Sequence, residues 1–181
     1  LLFATHCSRI VRAEDSPMPT PAPVECKGTL YIVGGAADTS LKRFVELAGG
    51  AKAKIAILPH SSSVPVEAAD EVANIFASLG VKETVAIQPT GKQDLPNDIT
   101  AVWMTGGDQN RLMRLADKAL LDAVRDFLNN GGVVGGTSAG AAVVAPRMIA
   151  GGVEDGFPRG SSLRMGDGLG LLPGYVVDTH V

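Results

Sequence analysis

Short apolar runs alternate along this chain with longer segments whose apolar positions recur at helical spacing. Thr29 to Val33 is a strand-like run closed by Gly34-Gly35, and Lys54 to Leu58 is a second, ending at Pro59. Glu83 to Ile87 is a third and Ala101 to Met104 a fourth; Val133-Val134 opens a fifth that runs into Gly135-Gly136-Thr137-Ser138. Brief apolar runs bounded by turn residues read as buried strands. Between them, Ser40 to Ala48 carries Leu41, Phe44, Val45 and Leu47 at helical spacing. Val66 to Leu79 places Val72, Ile75, Phe76 and Leu79 on one side, and Gly80 stops it. Gln109 to Leu115 and Leu120 to Leu128 read as helices, the second broken by Asn129-Asn130-Gly131-Gly132. Ala139 to Ile149 reads as the next helix, and Tyr175 to Val181 as a last strand.

Strands alternating with helices predict an α/β fold, a three-layer sandwich around a mostly parallel sheet. In such sheets ligands bind beyond the carboxyl ends of the strands. Chemistry is therefore expected at Gly34-Gly35, His60-Ser61, Gly106-Gly107 and Ser138.

Composition narrows the function classes. Hydrophobic residues make up 45% and charged residues 19%, which supplies a core and argues against a disordered chain. The net charge of −3 gives no basic surface for nucleic acid or an anionic membrane, and 4% aromatics give no stacking platform for single strands. The two cysteines, Cys7 and Cys26, make neither a disulfide scaffold nor a four-cysteine zinc site. His6, His60 and His180 are scattered, with no HExxH arrangement. No metal and no cofactor are expected. No apolar run reaches the roughly 18 residues of a spanning helix.

The first 26 residues read differently from the rest. Leu1-Leu2-Phe3-Ala4 and the small residues of Val11-Arg12-Ala13 suit the remnant of a signal peptide, and Pro17, Pro19, Pro21 and Pro23 suit an extended linker. The expected organisation is a signal remnant and Pro-rich linker over 1–26, then one α/β domain over 27–181. A secreted or periplasmic location follows, without a lipid anchor. The apolar run at the other end is expected to continue into further chain.

The strongest motif is Gly136-Thr137-Ser138-Ala139-Gly140, after a strand and before a helix, the context of a nucleophile elbow. There the serine sits in a strained turn with its Oγ exposed, flanking glycines let the turn close, and the N–H of Ala139 can donate to an oxyanion. A serine needs a base. His180 is preferred for that role; His60, after the second strand, is a polar loop residue, a substrate contact or the less favoured base. Thr105-Gly106-Gly107-Asp108-Gln109 follows the fourth strand, and one of its glycines would supply a second oxyanion donor. Gln109 either binds a substrate carboxylate or amide or forms the exposed first turn of a helix that Asp108 caps.

Trp103 to Leu112, with Thr105-Gly106-Gly107-Asp108-Gln109-Asn110-Arg111-Leu112, resembles the TGGDQxRL motif of the cyanophycinase family of serine peptidases. Gly135 to Ala141 resembles that family's GGTSAGA elbow. Pro59-His60-Ser61-Ser62 with Pro65, Met148 to Gly152, and Gly168 to Leu172 followed by Val177-Asp178-Thr179-His180 fit its pattern as well. The resemblance covers Gly28 to Val181. It implies a fold similar to the class I glutamine amidotransferases (flavodoxin-like), with a serine in place of their cysteine. It also implies hydrolysis of cyanophycin, a poly-aspartate carrying arginine on each side-chain carboxyl, to β-Asp-Arg dipeptides. Under it Ser138 is the nucleophile, His180 the base, Gly107 and Ala139 the oxyanion donors, and Gln109 a substrate contact, with Asp108 and His60 beside it. Thr179 stands where the family has a substrate-contacting Gln, which widens the expected substrates to related β-aspartyl peptides. The family's acid follows its histidine and would lie beyond Val181; Glu154, Asp155 and Asp167 are the stand-ins available within the chain.

Two other readings stay open. An α/β-hydrolase esterase shares GxSxG but leaves the TGGDQ run unexplained and lacks an HGGG-type loop. A catalytically incomplete pseudoenzyme would bind peptides without turning them over. The expected partner is the peptide substrate, with a homodimer as the one assembly considered; neither nucleic acid nor a membrane is expected.

Overall fold

Along the central strands, successive side chains point to opposite apolar layers. In β2 (Lys54–Leu58), Ile55 and Ile57 face one layer and Ala56 and Leu58 the other, all four buried. In β4 (Ala101–Met104), Ala101 and Trp103 face the first layer and Val102 and Met104 the second. A strand apolar on both faces belongs inside a sheet covered on both sides. The computed structural model describes residues 27–35, 41–154, 157–158 and 163–179. Within it β1 (Thr29–Val33), β2, β3 (Glu83–Ala86), β4 and β5 (Val133–Thr137) form one parallel sheet in the order β1-β5-β4-β2-β3.

Helices α1 (Leu41–Leu47) and α2 (Pro65–Ser78) cover one face through Leu41, Phe44, Val45, Ala69 and Phe76. Helices α3 (Gln109–Leu115), α4 (Lys118–Asn129) and α5 (Ala139–Ala142) cover the other, with Leu112, Leu120, Val124 and Leu128 in the core. This is the expected three-layer sandwich. The order β3-β2-β4-β5 is the flavodoxin-type order with β1 added at the far edge. Its switch point lies between β2 and β4, and their carboxyl ends open the crevice where such folds bind ligands.

The sheet packs tightly at one row. Ile57, Trp103, Gly135 and Tyr31 are register partners across four strands. The Phe44 and Trp103 ring centroids lie 4.8 Å apart against this row. A Cβ at Gly135 would stand 2.7 Å from the Phe44 ring and 2.8 Å from the Trp103 ring. The two aromatic rings occupy the volume that a larger residue in β5 would need.

Three stretches differ from the sequence expectation. Ala139 to Ile149 is not one helix. α5 ends after Ala142, and the chain passes Pro146 into β6 (Arg147–Gly151), which pairs antiparallel with β9 (Arg164–Asp167). The carbonyls that would continue the helix are taken from outside it. Leu169 N–H donates to Val143 at 2.6 Å, Leu171 and Leu172 N–H donate to Val144 at 2.7 and 3.0 Å, and Gly170 N–H donates to Ala145 at 3.2 Å. Pro146 has no N–H to continue the ladder and restricts the residue before it. A further short pair, β7 (Val153–Glu154) with β8 (Phe157–Pro158), was also not expected. Residues 175–179 form no strand: Tyr175 and Val176 are exposed, while Val177 rests against the core. The signal-and-linker segment, with Cys7, Cys26 and His6, lies outside the described residues. Among those residues no helix is long and apolar enough to cross a membrane.

Gly135→Ala is expected to lower the unfolding free energy by about 1–3 kcal/mol, the usual cost of forcing a methyl into a filled core. Denaturant unfolding should show a lower midpoint with an unchanged slope.

Candidate active site

Ser138 is where β5 becomes α5, and its backbone is forced into an unusual conformation, φ 50° and ψ −113°. It is the only described residue other than glycine with a positive φ. Its N–H donates to the Val33 carbonyl at 3.0 Å, extending the β1–β5 pairing one residue past the strand. Its carbonyl already accepts from Ala141 and Ala142 at 2.9 and 2.8 Å, starting the helix. The reversal therefore takes place within one residue. The glycines on either side are required by contact. A Cβ at Gly136 would overlap the Gly140 carbonyl, and one at Gly140 would lie 2.8 Å from the Met104 Cβ and overlap the Met104 carbonyl. The G-x-S-x-G spacing thus lets α5 press against both β5 and β4, with Ser138 half-buried at the sheet edge and Ala139 buried at the first helical position.

The turn after β4 lies beside it. A Cβ at Gly106 would be 3.4 Å from the Ser138 Cβ, so no side chain separates the two turns. Gly107 is exposed at φ 136°, and a Cβ there would overlap the Ser61 carbonyl. Ser61, at the carboxyl end of β2 and fully buried, holds this turn from the other side. Its Oγ–H donates toward the carbonyls of Thr105 at 2.8 Å and Gly106 at 2.7 Å, and Thr105 Oγ1 lies 3.0 Å from it. Its own carbonyl accepts the Asp108 N–H at 2.9 Å. The N–H groups of Gly106 and Gly107 have no acceptor among the described residues.

Asp108 caps α3: its Oδ1 accepts from the N–H of Asn110 at 2.8 Å and of Arg111 at 3.3 Å. Of the two readings of this residue the geometry gives the cap, and a substrate contact is not needed to account for it. Gln109 donates its side-chain amide to the Ile149 carbonyl at 2.6 Å, and Asn110 donates to Ala150 at 2.9 Å. Both tie the start of α3 to β6, so one amide N–H of Gln109 is taken up by the fold.

His60 departs furthest from expectation. It is fully buried, with Nε2 3.2 Å from Gln93 Oε1. Gln93 is itself fixed, its amide donating to Leu115 at 2.9 Å and its Oε1 accepting from the Asp117 N–H at 2.9 Å. Oε1 being the acceptor, Nε2 must carry the proton, which leaves Nδ1 bare; that atom is buried and has no partner. Burial holds the imidazole below its ordinary range, and the Gln93 bond and the Asp117 charge only partly oppose it. His60 is a neutral core histidine that joins β2 to the loop before β4. It makes no substrate contact in this geometry.

His180 and Asp155 lie outside the described residues, as does the side chain of Glu154. Thr179 is half-buried, its N–H bonded to the Asp178 carboxylate at 2.9 Å. Asp167, a stand-in acid, is exposed and ion-paired with Arg147 across β6 and β9. A cleft of about 370 Å³ opens between α2 and the carboxyl ends of β4 and β5, reaching Trp103, Gly106 and Thr137. Glu67 and Glu71 of α2 also line it, and neither has a cationic partner among the described residues.

Ser61 was expected at the ligand edge but without a role of its own, and Gln93 was not foreseen as part of the site. Ser61 carried one usable signal, a small hydroxyl immediately past a buried strand at the predicted ligand edge. Gln93 carried none, since it sits in the loop between β3 and β4.

Compared with known proteins, the profile of peptidase family S51 matches residues 30–181. The chain is similar to the cyanophycinase of Geminocystis herdmanii, 37% identical over 169 residues that make up 85% of this chain and 62% of that protein. It is similar to the cyanophycinase of Synechococcus elongatus, 35% identical over 169 residues, 85% of this chain and 52% of that one. The chain thus spans 52–62% of the length of these curated relatives. Among solved structures it resembles a peptidase from an acI-B1 Actinobacterium, TM-score 0.63 and 20% identity, over 86% of this chain and 69% of that one. It also resembles a putative peptidase E protein of Listeria monocytogenes EGD-e, TM-score 0.57 and 19% identity, over 80% and 75% of the two chains. At those identities the likeness is one of fold.

Two outcomes follow from this geometry. Ser138→Gly is expected to raise the unfolding free energy by about 1 kcal/mol, since strain at such a backbone exceeds glycine's extra unfolded entropy; calorimetry or denaturant unfolding measures it. His60 binds its proton less readily folded than unfolded, so the unfolded chain holds more protons just below its ordinary value of 6.5. Stability is then fully present above that pH and falls as pH drops toward the folded value, by up to about 1.4 kcal/mol per unit. Between about pH 7 and 5 this slope should be weaker in His60→Gln.

Proposed function

The chain belongs to peptidase family S51, and from that membership and the turn at Ser138 we propose a serine exopeptidase that hydrolyses cyanophycin or related β-aspartyl peptides to β-Asp-Arg-type dipeptides. The observation that carries this reading is the backbone of Ser138, φ 50° and ψ −113°, strained between a parallel strand and a helix. Such strain persists only where surrounding structure imposes it, and it gathers at functional positions. Beside it, the exposed N–H of Gly107 supports an oxyanion site.

In the proposed reaction Ser138 Oγ attacks the amide carbon of the substrate while His180 takes the hydroxyl proton. The oxyanion of the tetrahedral species accepts hydrogen bonds from the N–H groups of Gly107 and Ala139. Collapse breaks the C–N bond, and the leaving amine takes the proton from His180. Water, deprotonated by His180, then attacks the Ser138 ester; the acid leaves and the hydroxyl is restored. Glu67 and Glu71 at the neighbouring cleft suit a substrate with a basic side chain. Membership in family S51 sets aside the α/β-hydrolase esterase reading.

In the full-length protein, Ser138→Ala should lower kcat for β-Asp-Arg release by at least about 10³-fold with folding intact, and His180→Ala should be comparably damaging. A fall below roughly tenfold for Ser138→Ala would remove it as nucleophile. Binding of the peptide with no turnover by the unmodified protein would favour the pseudoenzyme instead.

A further inference from the structure

We propose that Ser61 is a positioning residue for the reaction, aligning the amide of Gly107, and that of Gly106 beside it, toward the oxyanion that Gly107 and Ala139 bind. This rests on the reading of Ser138 as nucleophile. In the sheet, β4 lies between β2 and β5, so the turn at its carboxyl end has Ser61 on one side and Ser138 on the other. Along a regular strand successive carbonyls point alternately to the two neighbours. At this turn the alternation is broken, because the carbonyls of Thr105 and Gly106 both converge on the Ser61 hydroxyl, at 2.8 and 2.7 Å.

The peptide unit is planar and trans, so each N–H is antiparallel to the carbonyl before it. With both carbonyls turned to the β2 side, the N–H groups of Gly106 and Gly107 face the β5 side, where Ser138 begins. Successive N–H groups pointing the same way make an anion-binding concavity. Two further contacts hold the arrangement: Asp108 N–H donates to the Ser61 carbonyl at 2.9 Å, and Thr105 Oγ1 lies 3.0 Å from Ser61 Oγ. With the Thr105 hydroxyl as donor, the single Ser61 proton stays directed at the carbonyls. Without the Ser61 hydroxyl, two carbonyls would lose their donor at a buried position, and rotation of these peptides would carry their N–H groups off the oxyanion.

The test uses the full-length protein. Steady-state release of β-Asp-Arg from cyanophycin gives kcat and KM, and the dissociation constant for cyanophycin is measured in the Ser138→Ala background, where no chemistry occurs. Ser61→Ala should lower kcat by about 10- to 100-fold, somewhat less than outright loss of an oxyanion donor. The dissociation constant should stay within about twofold, because these amides act on the transition state and not on bound substrate. Thr105→Val, nearly isosteric, should lower kcat by about three- to tenfold with the same unchanged binding, and it decides the matter if Ser61→Ala does not fold. Unchanged kcat in these variants, or a loss matched by weaker binding, overturns the positioning role while leaving the nucleophile in place. Persisting activity in Ser138→Ala alone overturns the reading on which it rests.

Discussion

A side chain at Gly140 would take the place of the Met104 carbonyl, and one at Gly136 that of the Gly140 carbonyl. Without both glycines α5 would be pushed off the sheet and the chain could not reverse at one residue. Because it does, Ser138 carries the strain: its N–H is still paired with the strand at Val33 while its carbonyl already serves the helix. The half-buried position of Ser138, the burial of Ala139 and the proximity of Gly106 all follow from that close approach of α5 to β4.

The strand order brings the second half of the site to the same place. Placing β2 and β4 side by side sets the turn after one against the turn after the other, at the switch point of the sheet. Ser61 and the turn from Thr105 to Asp108 meet there through four polar contacts and one steric one. Buried polar groups in such a position are paired or costly, and the pairing fixes the orientation of two peptide planes. The aromatic row of Phe44, Phe76 and Trp103 underlies the same edge, giving it a rigid floor on the α1 and α2 side.

His60 shows how neighbouring residues can differ in kind. It precedes Ser61 directly, yet its ring points into the interior and is tied to Gln93, while the Ser61 hydroxyl holds the turn after β4. A histidine kept neutral by burial, with its tautomer set by an amide that is itself fixed at both ends, is suited to structure. The nearest histidine to the crevice in sequence is therefore unsuited to be a base in this geometry.

What could be read from the chain was what local spacing controls. Short apolar runs gave five strands, because burial on both faces demands uninterrupted apolar stretches, and apolar positions at helical spacing gave the helices between most of them. The G-x-S-x-G turn was legible because its residues lie within two positions of Ser138, and one of its two clashes, that of Gly136 with Gly140, is local as well. Long-range partners decided the rest. The helix expected through Ile149 stops early because carbonyls of Val143 to Ala145 are taken by the segment from Leu169 to Leu172. His60 is buried because Gln93, 33 residues on, meets it. Ser61 orders the turn 44 residues away because β2 and β4 are sheet neighbours. Hydrogen-bond partners so distant along the chain leave no periodic trace in it; they exist only once the hydrophobic layers have brought the strands together.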